Sequence, residues 1–408
     1  MSSILDRIEF PIMGWHGPNH KRYTPKAMAS LAEGGLNATF SILDWDQMIP
    51  ALDIAKDVGM RLLIRPTELD LWRKTGVVNE EWLRKFRDFI AKVRNHPALL
   101  GYFISDEPFV DVIPDIGRAF RAWQETDPEH LFYVNYWTVG QTYHLSRGYE
   151  DLWQRLMDEA PLEFVSADGY PIQPVTEEDW LANHKLPHYF PRHKARLMPH
   201  YFEMLDIQRT IARQYKKKMW AFTYAKGELA QETAEGEMRF QLMTGLAYGA
   251  VGLQYFSVEA GNMLINDDGS ATENLRIAKG LNAVIRTWGP IFQKLRSIGV
   301  YHHPANLAYT RPLDCFMLGS QSDLCSRGDP IVCGHFVDQA GMEYALIVNR
   351  NPFEPAVLEF HFGTDDAVEE CSPRTAAWGQ ISKPRWFKMQ LAPGEGKLFR
   401  FKRTIKAS

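Results

Sequence analysis

The chain has 408 residues, a formal net charge of −4 and 24% charged residues, with 12 Trp, 16 Tyr and 23 Phe. This composition is typical of a large globular protein, and the lack of a basic stripe argues against a nucleic-acid partner. No apolar stretch approaches the ~20 residues that a membrane helix needs, so we expect no membrane partner. The first residues lack the features of a signal peptide, which predicts a cytoplasmic protein, although a chain whose leader had been removed would look the same.

Short apolar runs alternate with longer amphipathic segments up to about residue 300. The eight runs that predict strands span 9–15, 36–43, 60–65, 99–105, 131–137, 162–167, 219–224 and 251–257. Helix starts are predicted at Thr24, at Asn79 and at Ser270, each of which has a side chain that caps helices. Strand–helix alternation over this length favours an α/β fold, a (β/α)8 TIM barrel, with a doubly wound sheet as the alternative.

The pattern changes near residue 300. Strand-like runs separated by turns span 330–338, 342–349, 356–362, 385–391 and 396–402, without a helical period. We therefore predict a barrel over residues 1–299 and a C-terminal antiparallel β-sandwich domain over residues 300–408.

The four cysteines all lie in the last quarter of the chain. They are Cys315, Cys325, Cys333 and Cys371, and their spacing matches no zinc-binding pattern. Free buried thiols are expected, with one disulfide left open for an exported protein.

The connection between the sixth and seventh predicted strands has about fifty residues and is much longer than the other connections. Its segment 180–202 contains four histidines, His184, His188, His193 and His200, among several aromatic side chains. Long loops in compact domains are usually functional or disordered, and the aromatic content argues against disorder. We interpret the segment as the wall or lid of an active site. A metal site is the lesser alternative, since the histidine spacings fit no standard template.

In an eightfold barrel, functional residues lie where the strands end. The ends of the predicted strands are rich in acidic, amide and aromatic side chains. The candidates are Trp15, His16, Arg65, Asp106, Glu107, Asn135, Tyr136, Trp137, Asp168, Tyr170, Tyr224, Glu228 and Glu259. Aromatic rings stack on the CH faces of sugars, and carboxylates and amides bind hydroxyl groups. The pattern therefore predicts a site for an oligosaccharide or glycoside.

Glycoside cleavage needs two carboxyl groups on opposite sides of the scissile bond. Glu107 and Glu228 follow strands on opposite sides of the predicted barrel mouth, so we expect them to face each other. The alternatives are a structural ion pair between Glu107 and Arg65, and a Glu228 that faces solvent or pairs with Lys226. In that case Glu259 or Glu232 would supply the second carboxyl.

The run GYFISDEP at 101–108 resembles the fourth strand of the large clan of retaining (β/α)8-barrel glycoside hydrolases, which includes cellulases and β-galactosidases. The segment SADGYP at 166–171 and residues 237–257 are similar to uncharacterised glycosidase-like barrels from carbohydrate-degrading bacteria. The resemblance implies that Glu107 is the acid/base and Glu228 the nucleophile. Asp106 stands where the clan usually has an asparagine that contacts the sugar 2-hydroxyl, and a negative Asp106 would raise the pKa of Glu107.

The resemblance thus implies a retaining glycosidase that needs no metal or organic cofactor. A carbohydrate-binding protein on a degenerate barrel, without turnover, is the first alternative. A metal-dependent hydrolase that uses His16 and the histidines of the long connection is the second. The sugar, the linkage and the oligomeric state are left open by the sequence.

Overall fold

The structure, a computed structural model, describes residues 5, 8–18, 23–71, 75–138, 148–259, 263–313, 324–362, 367–381 and 387–402. The chain divides into two compact units. The first unit comprises Met1–Gly169, Ile207–Ala225 and Gly252–Asn282, and the second comprises Tyr170–Asp206, Lys226–Val251 and Ala283–Ser408. The predicted domain boundary after residue 299 stays a prediction, and a strand, Arg296–His303, spans that position.

All eight predicted barrel strands are present, and they lie in the first unit. They are β1 (Ile12–Gly14), β2 (Ala38–Leu43), β3 (Arg61–Pro66), β4 (Leu99–Asp106), β5 (Leu131–Asn135), β6 (Phe164–Ser166), β10 (Lys218–Tyr224) and β11 (Leu253–Phe256). The strands are parallel and hydrogen-bond in the order β5-β4-β3-β2-β1-β11-β10-β6.

A single bridge closes this sheet into a ring. Tyr136 pairs with Ala167 in parallel, and the Tyr136 backbone nitrogen donates to Ser166 O at 2.8 Å. The bridge joins the two strands at the ends of the sheet, β5 and β6. The (β/α)8 prediction is therefore confirmed over the doubly wound alternative.

Helices alternate with the barrel strands along the chain. The described helices are Pro25–Glu33, Met48–Asp57, Glu80–Val93, Ile113–Thr126, Tyr149–Glu159, Glu177–Asn183, Tyr201–Gln214, Ala234–Ala247 and Glu273–Phe292, with short 3-10 turns at Thr67–Leu69 and Val110–Val112. None of the helices in this described part of the chain is both long and apolar enough to span a bilayer.

Two of the three predicted helix caps are confirmed. The Thr24 hydroxyl accepts from the backbone nitrogen of residue 27 at 3.2 Å, and the Asn79 side chain accepts from that of residue 82 at 2.9 Å. The prediction for Ser270 is wrong, because Thr272 Oγ1 accepts from Leu275 N at 3.3 Å, while the Ser270 hydroxyl binds Asp268. Each such cap contributes about 1 kcal/mol to the stability of its helix.

Aromatic side chains fill the barrel interior. Trp15 lies at the centre, with the rings of Phe40, Phe222, Phe103 and Tyr133 at centroid distances of 4.5, 5.1, 5.5 and 5.7 Å in edge-to-face orientation. Edge-to-face contacts between rings add to the stabilisation from burial. The barrel interior is thus a packed core that supports the strand ends above it.

The second unit contains the C-terminal strands. They are β12 (Arg296–His303), β13 (Leu324–Gly328), β14 (Ile331–Val337), β15 (Glu343–Asn349), β16 (Ala356–Phe362), β17 (Ala367–Cys371), β18 (Trp378–Gln380), β19 (Phe387–Leu391) and β20 (Gly396–Lys402). A six-stranded antiparallel sheet has the order β12-β14-β15-β20-β17-β18, and a three-stranded sheet has the order β13-β16-β19. Apolar residues of both sheets form one core, among them Ile347 and Phe399 of the larger sheet and Leu358 and Leu391 of the smaller. The predicted antiparallel sandwich is confirmed.

Cys333 and Cys371 are buried free thiols, as expected. The placement of Cys315 lies outside the described residues, and Cys325 lies on β13.

Residues Tyr170–Asp206 of the long connection between β6 and β10 belong to the second unit and have secondary structure of their own. Three short strands, β7 (Ile172–Pro174), β8 (Tyr189–Phe190) and β9 (Ala195–Leu197), form an antiparallel sheet in the order β7-β9-β8. The segment is therefore ordered, as its aromatic content predicts. Its role as a wall or lid stays a prediction.

Candidate active site

The carboxyl ends of β4, β5 and β6 bring three of the predicted residues together. The Asn135 amide nitrogen Nδ2 donates to Asp106 Oδ1 at 3.0 Å and to Asp168 Oδ1 at 3.1 Å. Asp106 lies directly opposite Asn135 in the register of β4 and β5. Because both carboxyl groups bind the same nitrogen, the two accepting oxygens lie within about 6 Å of each other. We call these three residues the Asp106–Asn135–Asp168 cluster.

Buried polar groups behind the cluster orient the Asn135 amide. Ser166 Oγ donates to Asn135 Oδ1 at 3.0 Å, and Gln254 Nε2 donates to Ser166 Oγ at 2.9 Å. The Tyr133 hydroxyl donates to Gln254 Oε1 at 2.6 Å. Since Ser166 donates to the amide oxygen, the amide nitrogen is the atom that faces the two carboxyl groups.

The electrostatics of the cluster favour one proton on Asp106. Burial raises the pKa of Asp106 to about 7, and the neighbouring charge of Asp168 adds to the rise. The hydrogen bond from Asn135 and the positive charge of Arg65 act in the opposite direction. Asp106 is therefore half protonated near pH 7, and the full negative charge expected from the sequence is present only in more alkaline solution.

Arg65 is a buried residue of β3 that binds other parts of the barrel. Its Nη1 lies 2.8 Å from Asp70 Oδ1 and donates to Ile104 O at 3.3 Å. The guanidinium also lies 5.1 Å from the centre of the Phe103 ring. Arg65 forms an ion pair with Asp70, and its effect on Asp106 is a longer-range electrostatic attraction.

Glu107 lies at a sharp turn immediately after β4. Its φ is +44°, a left-handed conformation that residues other than glycine rarely adopt. The Glu107 backbone nitrogen donates to Asn135 O at 3.0 Å, which continues the pairing of β4 with β5, and Pro108 ends the strand. The side chain is partly exposed. Backbone strain of this kind concentrates at functional sites, because the surrounding structure must hold the residue in place.

An aromatic pair lies next in the chain. The rings of Phe109 and Trp137 stack with centroids 5.7 Å apart and an interplanar angle of 15°, and Trp137 Nε1 donates to Pro108 O at 3.0 Å. Phe109 is 38% exposed, whereas Trp137 is 8% exposed. Phe109 is therefore the more exposed ring of the pair, and Trp137, the predicted stacking residue, packs against it.

Two other predicted sugar contacts are packing residues. Trp15 is 1% exposed at the centre of the barrel, and Tyr136 has no exposed surface, with its ring 4.7 Å from that of Trp153. Neither side chain offers a face or a hydroxyl to a ligand. Trp15 packs inside the barrel and Tyr136 packs against Trp153 of the helix Tyr149–Glu159, so their burial does not support the predicted substrate contacts.

The remaining candidates of the first unit surround the ends of β1, β10 and β11. His16 is exposed, with φ of +45°. The Tyr224 and Phe256 rings stack with centroids 6.2 Å apart and an interplanar angle of 19°. The peptide bond between Phe256 and Ser257 is cis. Glu259 is partly exposed. Their roles as substrate contacts stay predictions.

Tyr170 and Glu228 belong to the second unit. The Glu228 backbone nitrogen donates to Glu237 Oε2 at 2.7 Å, and Thr233 Oγ1 donates to Glu237 Oε1 at 2.5 Å. The completely buried Glu237 thus fixes the loop that carries Glu228. Burial raises the pKa of Glu228 and the charge of Glu237 adds to this effect, whereas Lys226 lowers it.

Two histidines of the long connection contact other residues of the second unit. His184 Nδ1 lies 2.9 Å from Trp180 O, and the His193 ring stacks on Phe353 at 4.5 Å. In the described part of the chain, no three His, Cys, Asp or Glu side chains are placed to hold a metal ion.

Sequence reasoning missed Tyr133, Ser166, Gln254 and Phe109. The signal for the first two is period-2 spacing, since Tyr133 precedes Asn135 by two residues and Ser166 precedes Asp168 by two. Polar side chains at alternate positions of a buried strand indicate a polar network inside the sheet.

Comparison with known proteins shows which fold this is. No protein-family model and no curated protein sequence matches the chain. Among solved structures, the chain is similar to a β-galactosidase from Bacillus circulans sp. alkalophilus, with a TM-score of 0.61, 9% identity, and coverage of 96% of this chain and 99% of that one.

It is also similar to a family 5 glycoside hydrolase from Bacteroides vulgatus, with a TM-score of 0.55, 10% identity, and coverage of 97% of this chain and 90% of the other. A third similar structure is a family 39 glycoside hydrolase from Bacteroides cellulosilyticus, with a TM-score of 0.53, 10% identity, and coverage of 98% of this chain and 82% of the other. The chain therefore has the fold of these glycoside hydrolases, as the resemblance of the strand-four segment implies.

Proposed function

We propose that the protein is a glycoside hydrolase that cleaves an O-glycosidic bond at the carboxyl ends of β4–β6. The observation that carries the proposal is the pair of carboxyl groups, Asp106 and Asp168, on one oriented amide, with Glu107 next to Asp106 in the chain, in a barrel with the glycosidase fold. The solvent-facing ring of Phe109 provides a surface of the kind on which sugars stack.

Glu107 is the residue we propose as general acid. It would donate a proton to the leaving-group oxygen and then, as a carboxylate, take a proton from the attacking water. The turn at Glu107 supports this role, because its backbone is fixed by Asn135 while its side chain remains partly exposed.

Glu228 is the residue we propose as nucleophile, on the resemblance alone. It would form a covalent glycosyl ester, which water then cleaves with net retention at the anomeric carbon. Its loop is held by the buried Glu237 carboxylate.

An activity screen with matched variants tests the proposal. Aryl α- and β-glycosides of common neutral monosaccharides are assayed with the wild type and with Glu107→Gln, Glu228→Gln and the control Glu129→Gln, an exposed residue before β5. We expect Glu107→Gln to lower kcat about 10²- to 10⁴-fold for phenols of high pKa and much less for dinitrophenyl glycosides, whose leaving group needs no acid.

Glu228→Gln should lose turnover with both kinds of leaving group. Proton NMR of the first sugar released should give the anomer of the substrate. Wild-type activity in Glu107→Gln would exclude it as the acid. Binding of oligosaccharides by the wild type without hydrolysis of any glycoside would contradict the proposal and indicate the carbohydrate-binding alternative.

A further inference from the structure

Within the described part of the chain, the Asp106 side chain has one hydrogen-bond partner, which binds one of its two oxygens. Among the residues that the structure describes, Asn135 is the only hydrogen-bond partner of the Asp106 side chain, and it binds Oδ1. Asp106 is partly exposed. Oδ2 is therefore the oxygen that is left to bind a ligand at the mouth of the barrel.

Among the described residues, the surroundings of Asp106 supply no cation that binds this oxygen. From β5 comes the neutral Asn135 amide, and from the end of β6 comes a second carboxyl group, Asp168, on the same amide nitrogen. From β3 comes the Arg65 guanidinium, which binds Asp70. Glu107 follows in the chain, and Tyr133 of β5 feels the charges of both aspartates.

Two carboxyl groups that share one neutral donor are not both ionised without mutual repulsion. One proton on the pair removes this repulsion. The proton belongs on Asp106, since its pKa is about 7. A protonated carboxyl group is a hydrogen-bond donor, whereas a carboxylate only accepts.

We propose that Asp106 binds substrate as a neutral carboxylic acid, donating a hydrogen bond from Oδ2 to a hydroxyl group of an uncharged glycoside, with Asn135 and Asp168 holding it in place. The proposal rests on the function proposed above and names its substrate class. A uronate or a sulfated sugar would place a further negative charge beside Asp168 and Glu107, which the site disfavours.

The protonation of Asp106 is tested without any substrate. The wild type, Asp106→Asn, Asp168→Asn and the exposed control Asp111→Asn are labelled with 13C at the aspartate carboxyl carbon, and their NMR spectra are followed from pH 4 to pH 9. We expect one carboxyl resonance to titrate near pH 7, to be absent in Asp106→Asn, and to titrate at lower pH in Asp168→Asn. The inference is overturned if no aspartate titrates above pH 6, or if the resonance persists in Asp106→Asn.

The donor role is tested by the pH dependence of kcat/KM for the dinitrophenyl form of the neutral glycoside found in the screen, because its leaving group needs no acid and the titration of Glu107 then has little effect on the profile. The wild type should lose about tenfold in kcat/KM per pH unit above 7 as the donor is lost. Asp106→Ala should be impaired at every pH, and Asp106→Asn should regain at least tenfold over it without the decline between pH 6 and 8. The same decline in Asp106→Asn as in the wild type would overturn the donor role.

If no glycoside is cleaved, the proposed function fails, and calorimetric binding of neutral methyl glycosides at pH 6 and pH 8 takes the place of the rates. Tighter binding at pH 6, lost in Asp106→Ala, supports the donor role. Absence of binding, or equal binding at the two pH values, overturns it.

Discussion

Replacement of Asp106 by asparagine should change the pH dependence of stability in a defined direction. The pKa of Asp106 is raised from the ordinary 3.8 to about 7 in the folded protein, chiefly by burial and then by the charge of Asp168. Between these values the folded state keeps a proton that the unfolded chain releases. The contribution of Asp106 to the free energy of unfolding therefore falls as the pH rises from 4 to 7, in contrast to the usual behaviour of an ion-paired carboxylate.

The magnitude follows from the two pKa values. Each pKa unit is worth about 1.4 kcal/mol, so the full effect amounts to about 4 kcal/mol, of which about 2.6 kcal/mol falls between pH 5 and pH 8. The asparagine side chain does not titrate, hence Asp106→Asn should gain this amount relative to the wild type over that interval. The shape of the side chain and the site's other hydrogen bonds are nearly unchanged by the substitution.

The assay is urea unfolding at pH 5, 6, 7 and 8, followed by tryptophan fluorescence and circular dichroism, with Asp111→Asn as the control for loss of one exposed carboxyl group. We expect the difference between Asp106→Asn and the wild type to grow steadily with pH. A difference that is constant with pH, or that grows toward pH 5, would refute the reasoning. An equal trend in Asp111→Asn would show that the effect does not come from Asp106.

Three further outcomes are expected. Phe109→Ala should raise KM several-fold for disaccharide glycosides while the melting temperature changes little, because the ring is 38% exposed; the exposed Leu181→Ala is the matched control, and an unchanged KM would contradict the stacking role. Gly101→Ala should destabilise the barrel by roughly 3 kcal/mol or more, since a Cβ there would lie 2.3 Å from Leu131 O, and a variant as stable as the wild type by urea unfolding would disprove the close approach. Gly280→Ala, where a Cβ meets no atom within 4 Å in the helix Glu273–Phe292, should instead stabilise by about 0.5–1 kcal/mol, and a lower unfolding midpoint would count against this.

The barrel was predictable because its strands are apolar runs bounded by helix starts and stops. Gly59 and Gly249, which each lie between the end of a helix and the start of the next strand, have φ of +73° and +99°, the conformation that glycine adopts without strain. The sandwich was predictable only in part. The strand Trp378–Gln380 lies at the edge of its sheet and is half-exposed to exposed, so it has no apolar run to mark it.

The site was less predictable than the fold, because its chemistry depends on neighbours that are distant in sequence. Asp106 and Asp168 are separated by most of two strand–helix repeats, and nothing in either segment indicates that one amide nitrogen would bind both. Likewise, the residue type at Trp15 suits a sugar platform or a core equally well. The four aromatic rings that pack around Trp15 in the structure show that it is a core residue.

The ring of strands has a seam, the Tyr136–Ala167 bridge, and the two aspartates lie on either side of it. Asn135, the residue before the bridge, connects the two sides because its amide nitrogen donates to Asp106 and to Asp168. In mildly acidic solution Asp106 is neutral, and the two carboxyl groups do not repel each other. In alkaline solution they repel, so the same titration that charges the mouth also loosens the closure of the barrel, and the amide proton of Tyr136 should exchange with solvent faster there than its strand neighbours do.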